Sequence, residues 1–179
     1  MEQFMFNEQK AVAVVLLVVN ELKKIDRHKL AKILYFADEK HLSRYGRTIT
    51  TDSYNALPNG PVPTIIYDCI KGVNCTHNFY EYRGFEGKIS VSGKYIEPLD
   101  IADLDQLSET DIECLFESIA ENSGLSFGEL TKKSHGQAWH SVGKNQRISF
   151  VEMAKEANTP DDIMELVRMN LEIEEFLTL

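Results

Sequence analysis

Between residues 8 and 24 the chain is apolar at nearly every position from 11 to 19, with Asn7, Glu8 and Lys10 before that run and Asn20, Glu21, Lys23 and Lys24 after it. The pattern predicts a helix over residues 8–24 with Asn7 as its N-cap. It is a buried helix rather than a membrane span, which needs about 20 apolar residues. Asp26 caps a second helix, and Ile25 before that cap with Leu30 four residues after it forms a hydrophobic staple, predicting a tight antiparallel helical hairpin. Leu30, Ile33, Leu34, Ala37 and His41 fall on the buried face of the second helix. Tyr45-Gly46 ends it, because glycine accepts the left-handed conformation just past a helix.

Residues 48–54 are rich in β-branched side chains and predict a short strand or extended connection running into a Leu57-Pro58-Asn59-Gly60 turn. Pro61 is then expected to open a third helix, where its missing N–H is harmless, with Ile65, Ile66, Cys69 and Ile70 as the apolar stripe. Two alternating segments, FYEYRG and KISVSGKYIEP, flank Gly84-Phe85-Glu86-Gly87 and predict a β-hairpin. Capping-box signals start further helices at Ser108, with a Leu107–Ile112 staple, and at Ser126, with Leu125 and Leu130. At Thr159-Pro160 a cap, an N1 proline and the acidic pair Asp161 and Asp162 agree on a last helix. The expected fold class is α+β, mainly α-helical: a compact helical domain with a small β-hairpin or short antiparallel sheet. One domain is expected over residues 1–179, with 160–179 as its C-terminal helix.

At 179 residues and 43% hydrophobic content, the chain can bury one ordinary core, which excludes a disordered chain. Glu2 and Glu8 precede the first basic residue, unlike the positive start of a secretory signal, and this predicts a cytoplasmic protein. The odd number of cysteines, Cys69, Cys75 and Cys114, suits a reducing compartment. Cys69-x5-Cys75-x-His77 matches no zinc spacing, so no metal or other cofactor is expected. The net charge of -9 is uneven: residues 1–98 carry 13 Lys/Arg against 11 Asp/Glu, and residues 99–179 carry 6 against 17. The acidic half repels phosphate backbones, disfavouring nucleic acid for the chain on its own, and favours a basic protein surface. Lys23, Lys24, Arg27, Lys29 and Lys32, with Arg44 and Arg47, read as a solvated basic face. A recognition helix would have to spend Tyr35 and Phe36 on DNA, and those positions carry the core periodicity.

Polar and aromatic groups concentrate in SHGQAWH, residues 134–140. His135 and His140 lack a nucleophile elbow, a phosphate-binding glycine loop or a metal-ligand pair, so they read as structural or surface groups and no catalytic residue is expected. A hydrolase reading would rest only on scattered His, Asp and Glu. Trp139, the only tryptophan, reads either as a core anchor or as an exposed hot spot. Gly60-Pro61-Val62 reads as a helix start, with or without an anion on its N–H groups. Residues 161–179 carry Ile163, Leu166, Val167, Leu171, Phe176 and Leu177 beside seven charged residues, net -5. Such a helix docks on its own bundle or lies in a partner's groove.

One order of motifs is specific. Lys29, Leu30, Lys32, Leu34, Tyr35, Phe36 and Ala37 are followed by Tyr45-Gly46, then by residues 54–56, then by Gly60-Pro61-Val62, and later by LSFGELTKKSHGQAWH at residues 125–140. This order resembles the Panacea domain of SocA-like antitoxins and covers most of the chain. The chain departs from that pattern in Leu57-Pro58-Asn59, where an aromatic is usual, and in Ala138, where proline is common. The resemblance implies an antitoxin of a bacterial or phage toxin–antitoxin system that neutralises a cognate, basic toxin protein by direct binding, without enzyme activity. The alternative is a phage-associated or regulatory binding module acting on another host protein, or on DNA in an autoregulatory complex. Candidate contacts are Gly60, Pro61, Val62, Trp139, His140, Asp161, Asp162, Glu165, Glu172, Glu174 and Glu175. No membrane partner is expected, and homo-oligomerisation is left open.

Overall fold

The structure, a computed structural model, describes residues 6–75 and 81–177. It is α+β and mainly helical, 57% helix, with two small three-stranded antiparallel sheets. Its first half runs α1 (Glu8–Leu22), β1 (Ile25–Asp26), α2 (Arg27–Tyr45), β2 (Tyr54–Leu57), β3 (Gly60–Pro63), α3 (Thr64–Gly72), β4 (Ile89–Ser92) and β5 (Tyr95–Pro98). A 3-10 turn at Leu104–Gln106 leads into α4 (Glu109–Asn122), α5 (Phe127–Ser134), α6 (Gln137–His140), β6 (Arg147–Ile148), α7 (Phe150–Glu156) and α8 (Asp161–Leu177). Among the described residues, no helix is long and apolar enough to cross a membrane.

Local signals set most helix ends. Asn7 accepts the Lys10 amide at 3.0 Å and Asp26 the Lys29 amide at 2.9 Å, so each side chain satisfies a donor that the helix leaves unpaired. Ser108 with Asp111, and Ser126 with Glu129, close two capping boxes. Gly46, at φ +72°, turns out of α2 and returns its N–H to the Leu42 carbonyl at 3.0 Å.

Three expectations are corrected. The first is the tight hairpin between the first two helices. Ile25 and Asp26 instead leave the helical path and pair as β1 with Ile96 and Tyr95, and α2 packs chiefly on α4. The second concerns residues 48–54. Ile49 and Thr50 give their amides to the Asp38 carboxylate at 2.6 and 3.2 Å, so those donors are spent before a ladder can form, and the strand begins at Tyr54. Gly60-Pro61-Val62 is then a strand, not a helix start: Pro61 pairs opposite Ala56 in β3, an edge position where a proline without N–H is tolerated. The third is the later hairpin, which closes over β4 and β5 around Gly93-Lys94, while residues 84–88 form a turn. Phe79 and Tyr80 of its expected first strand lie outside the described residues.

Two apolar clusters flank α2. One gathers α1 with Leu30, Ile33, Leu34 and Ala37 of α2, Ile66 and Ile70 of α3, and Cys114, Leu115 and Ile119 of α4. The other gathers Tyr35, Phe36 and Leu42 of α2 with Tyr54, Ala56, Ala138, Ile148, Met153, Met164 and Val167. Because both sides of α2 are covered, Lys32, Asp38 and His41 are fully buried with the apolar residues.

One buried carboxylate ties three helices together. Asp111 of α4 meets Lys10 of α1 at 2.7 Å, Arg47 beyond α2 at 3.2 Å and His41 of α2 at 3.2 Å, with its own side chain 1% exposed. Burial alone would raise its pKa, but the bonds from His41 and Lys10 outweigh it and hold the carboxyl well below the usual range. A carboxylate depressed in the fold stabilises above its unfolded pKa, about 3.9, and loses that contribution as pH falls below it. Asp111→Asn is therefore expected to lower unfolding free energy by about 3 kcal/mol at pH 7, with the deficit shrinking below about pH 4. Urea denaturation at pH 7 and pH 3 checks this; an equal deficit at both would show that the charge is not what matters.

Candidate partner-binding surface

The Gly60-Pro61-Val62 segment sits inward. Gly60 and Pro61 are buried and Val62 is half-buried, because the chain of Lys32 runs beneath them and its Nζ donates to the Pro61 carbonyl at 2.8 Å. Gly60, at φ +100°, lets the hairpin press against α2 and α5: a Cβ there would lie 2.2 Å from Ser134 Oγ and 2.8 Å from Lys32 Cε. The anion-friendly helix start expected at this motif is displaced to Thr64 and filled from within. The Asp52 carboxylate accepts the Ile65 and Ile66 amides at 3.1 and 2.8 Å. Burial pushes Asp52 up to about 6, against the opposing pull of the Ile66, Ile65 and Ser53 amides.

The predicted solvated basic face is also largely spent. Lys24 pairs with Glu97 at 2.6 Å, Lys29 donates to the Ser123 carbonyl at 2.6 Å, and Arg27 donates to the Gly93 carbonyl at 3.0 Å. Arg44 makes a two-pronged bond to Glu117 at 2.8 and 2.7 Å. Lys32 was expected on that face and is instead fully buried, where desolvation pushes its ammonium down to about 7.

Trp139 combines its two expected roles. From α6, its Nε1 donates to the Leu57 carbonyl at 2.9 Å and its ring stacks on His135 at 3.8 Å, which fastens the α5–α6 corner to the end of β2. The half-buried ring then lines a cleft of 430 Å³ with Ala56, Leu57, Pro58, His140, Val142 and Lys144. His140 is exposed with its ring edge against Trp139. Burial, with the nearby charges of Lys32 and His140, lowers the His135 pKa from its ordinary value, so this imidazole is neutral at pH 7. His135 has Trp139, Lys32, His140 and the Pro58 backbone around it, and these supply neither a nucleophile nor a carboxylate. Among the described residues, no three His, Cys, Asp or Glu side chains are grouped to hold a metal. His77 lies outside them.

The acidic candidates lie on α8. Asp161, Asp162, Glu165, Glu172 and Glu175 are exposed, and Glu174 falls on the same helix. The helix docks on the protein through buried Met164 and Val167, half-buried Leu171, and Asn170, which donates to the Gly46 carbonyl at 3.0 Å. Gly46 also makes room for it, since a Cβ there would meet Leu166 Cγ at 2.7 Å. The Trp139 corner and α8 are brought to one side of the fold by α7, which packs on both α6 and α8. Glu156 of α7 fixes α6 directly by accepting the Ala138 amide at 2.6 Å. The buried polar groups that build this side, Lys32, Asp52, Ser134 and Glu156, were not singled out in the sequence as structural residues. Their signal was a polar side chain at a position otherwise flanked by core residues, as at Lys32 between Leu30 and Leu34.

A family model described as Antitoxin SocA-like, Panacea domain matches residues 30–140. That span takes in α2, the β2–β3 hairpin and the Trp139 corner. No curated protein and no solved structure matches the chain.

The buried Lys32 makes stability depend on alkaline pH. Between about pH 7 and the unfolded lysine pKa near 10.4, the unfolded chain carries a proton that the folded one does not, so stability rises with pH by up to about 1.4 kcal/mol per unit. Urea denaturation of the wild type and Lys32→Met from pH 7 to 9.5 is expected to show the wild type gaining on the variant. Parallel curves would refute a buried neutral lysine.

Proposed function

The chain belongs to the SocA-like Panacea antitoxin family, its match extending over residues 30–140, and from that membership we propose that it is an antitoxin that neutralises a cognate toxin by direct protein–protein binding in the cytoplasm. The mechanism is occlusion: the bound chain covers the toxin surface that does damage. The observation that supports a basic partner is the set of α8 carboxylates left facing solvent, while the ion pairs that hold the fold together use Glu97, Asp111, Glu117 and Glu121. Opposite charge speeds encounter, and a desolvated aromatic patch then supplies affinity. In this reading the Trp139 cleft with His140 forms part of the contact. Buried Gly60 and Pro61 support it from behind, and Val62 reaches its edge.

Bacteria expressing the reading frame beside this one are expected to stop growing, and to recover with a co-purifying pair when this chain is supplied. A harmless neighbour with no co-purifying protein would overturn the antitoxin reading. Replacing Asp161, Asp162, Glu165, Glu172, Glu174 and Glu175 by their amides is expected to slow association about tenfold or more at low salt, with the melting temperature held within a few degrees. Unchanged protection by that variant would discard docking by charge.

A further inference from the structure

Helix α8 carries two apolar stripes. Met164, Val167 and Leu171 face the protein. Met169, Ile173 and Phe176 follow the i, i+4, i+7 spacing on the opposite side of the same helix, and they are 50%, 50% and 76% exposed. A helix that only covers its own core presents one apolar stripe and leaves the other face polar. The second stripe is bordered by exposed Asp162, Glu165 and Glu172, and Glu165 and Glu172 each stand one helical turn from Met169. Beside it, between α8 and the end of α2, lies a depression of 280 Å³ whose lining includes Leu42, Phe150, Val167, Leu171 and Ile173. The outer face of α8 thus joins a ridge of three large side chains to a socket and an acidic border.

We propose that this outer face of α8 is a docking helix for a basic amphipathic element of a partner protein, whose apolar side chains cover Met169, Ile173 and Phe176 while its Lys and Arg meet Asp162, Glu165 and Glu172. The inference deepens the antitoxin reading by naming the surface and the chemistry of its partner. Charge decides the occupant. A second copy of this chain would set acidic border against acidic border, since α8 carries only Arg168 among its acids, and like charges across an interface exclude a pairing. An anionic membrane surface is repelled for the same reason, because helices that lie on membranes are typically Lys- and Arg-rich on the polar face. A groove-binding helix is read by anchors one and two turns apart, the spacing of Met169, Ile173 and Phe176.

The test uses the full chain and an 18-residue Leu/Lys peptide patterned as an amphipathic helix, with binding followed by calorimetry at 50 and 300 mM salt. Saturable binding, weaker at high salt, is expected. The triple variant M169S/I173S/F176S should weaken it at least tenfold while leaving circular dichroism unchanged. L99S/I101S/L104S, which removes exposed apolar side chains elsewhere, should bind as the wild type does. Equal loss in both triple variants, or binding that survives M169S/I173S/F176S, would overturn the proposal. So would a wild-type dimer that the α8 variant converts to monomer, or co-sedimentation with phosphatidylglycerol vesicles. The growth assay separates this inference from the reading beneath it: rescue that persists in M169S/I173S/F176S leaves an antitoxin that uses another surface, whereas a harmless neighbouring protein removes the antitoxin and leaves the docking helix standing on the peptide result.

Discussion

The rest of the structure depends on α2 being covered on every side. A polar side chain on such a helix must find its partner inside the protein, because a buried donor or acceptor left unpaired costs about 1–3 kcal/mol. On α2 each such partner belongs to another segment. Lys29 reaches the Ser123 carbonyl after α4, Lys32 the Pro61 carbonyl in β3, and His41 both the Arg47 carbonyl and Thr110. Asp38 takes the Ile49 and Thr50 amides, the Thr50 hydroxyl and the Tyr54 hydroxyl, four donors from one loop. The helix therefore does more than fill space: its polar side chains place the loops around it.

That arrangement explains what the surface has left to offer. The basic residues near α2 are consumed in holding backbone carbonyls and carboxylates, so little free positive charge remains for phosphate. The α3 N-terminus is filled by Asp52, which removes a ready anion site. What stays open lies on the side built by the second apolar cluster, at the Trp139 cleft and along α8, and it is acidic and apolar together. A surface of that kind suits binding better than chemistry, since affinity needs a desolvated patch and specificity needs charge, and neither requires a nucleophile.

Much of the helical framework was legible in the chain. Asn7, Asp26, Ser108 and Ser126 cap the helices they were expected to cap, and Gly46 ends α2, because capping is decided within four residues and the chain carries that information locally. The strands were legible only in part. Residues 48–54 have strand composition, yet Asp38, eleven residues before Ile49, takes their amides. Pro61 has the composition of a helix start, yet its carbonyl is claimed by Lys32 and its neighbours pair with β2. Of the candidate site, Trp139 and the α8 carboxylates were visible as residue types. The inward seat of Gly60 and Pro61, the stacking of His135 on Trp139 and the outward stripe on α8 were not.

The sequence by itself determined the fold class, the helices and their caps, the family, and the acidity of the second half, because these follow from composition, from periodicity and from contacts a few residues apart. Only the tertiary structure decided which polar groups lie inside, where the strands begin and which stripe of α8 faces solvent. Those outcomes turn on long-range competition for backbone donors and on which face of each helix is covered first, and a one-dimensional pattern does not contain the neighbours that settle either.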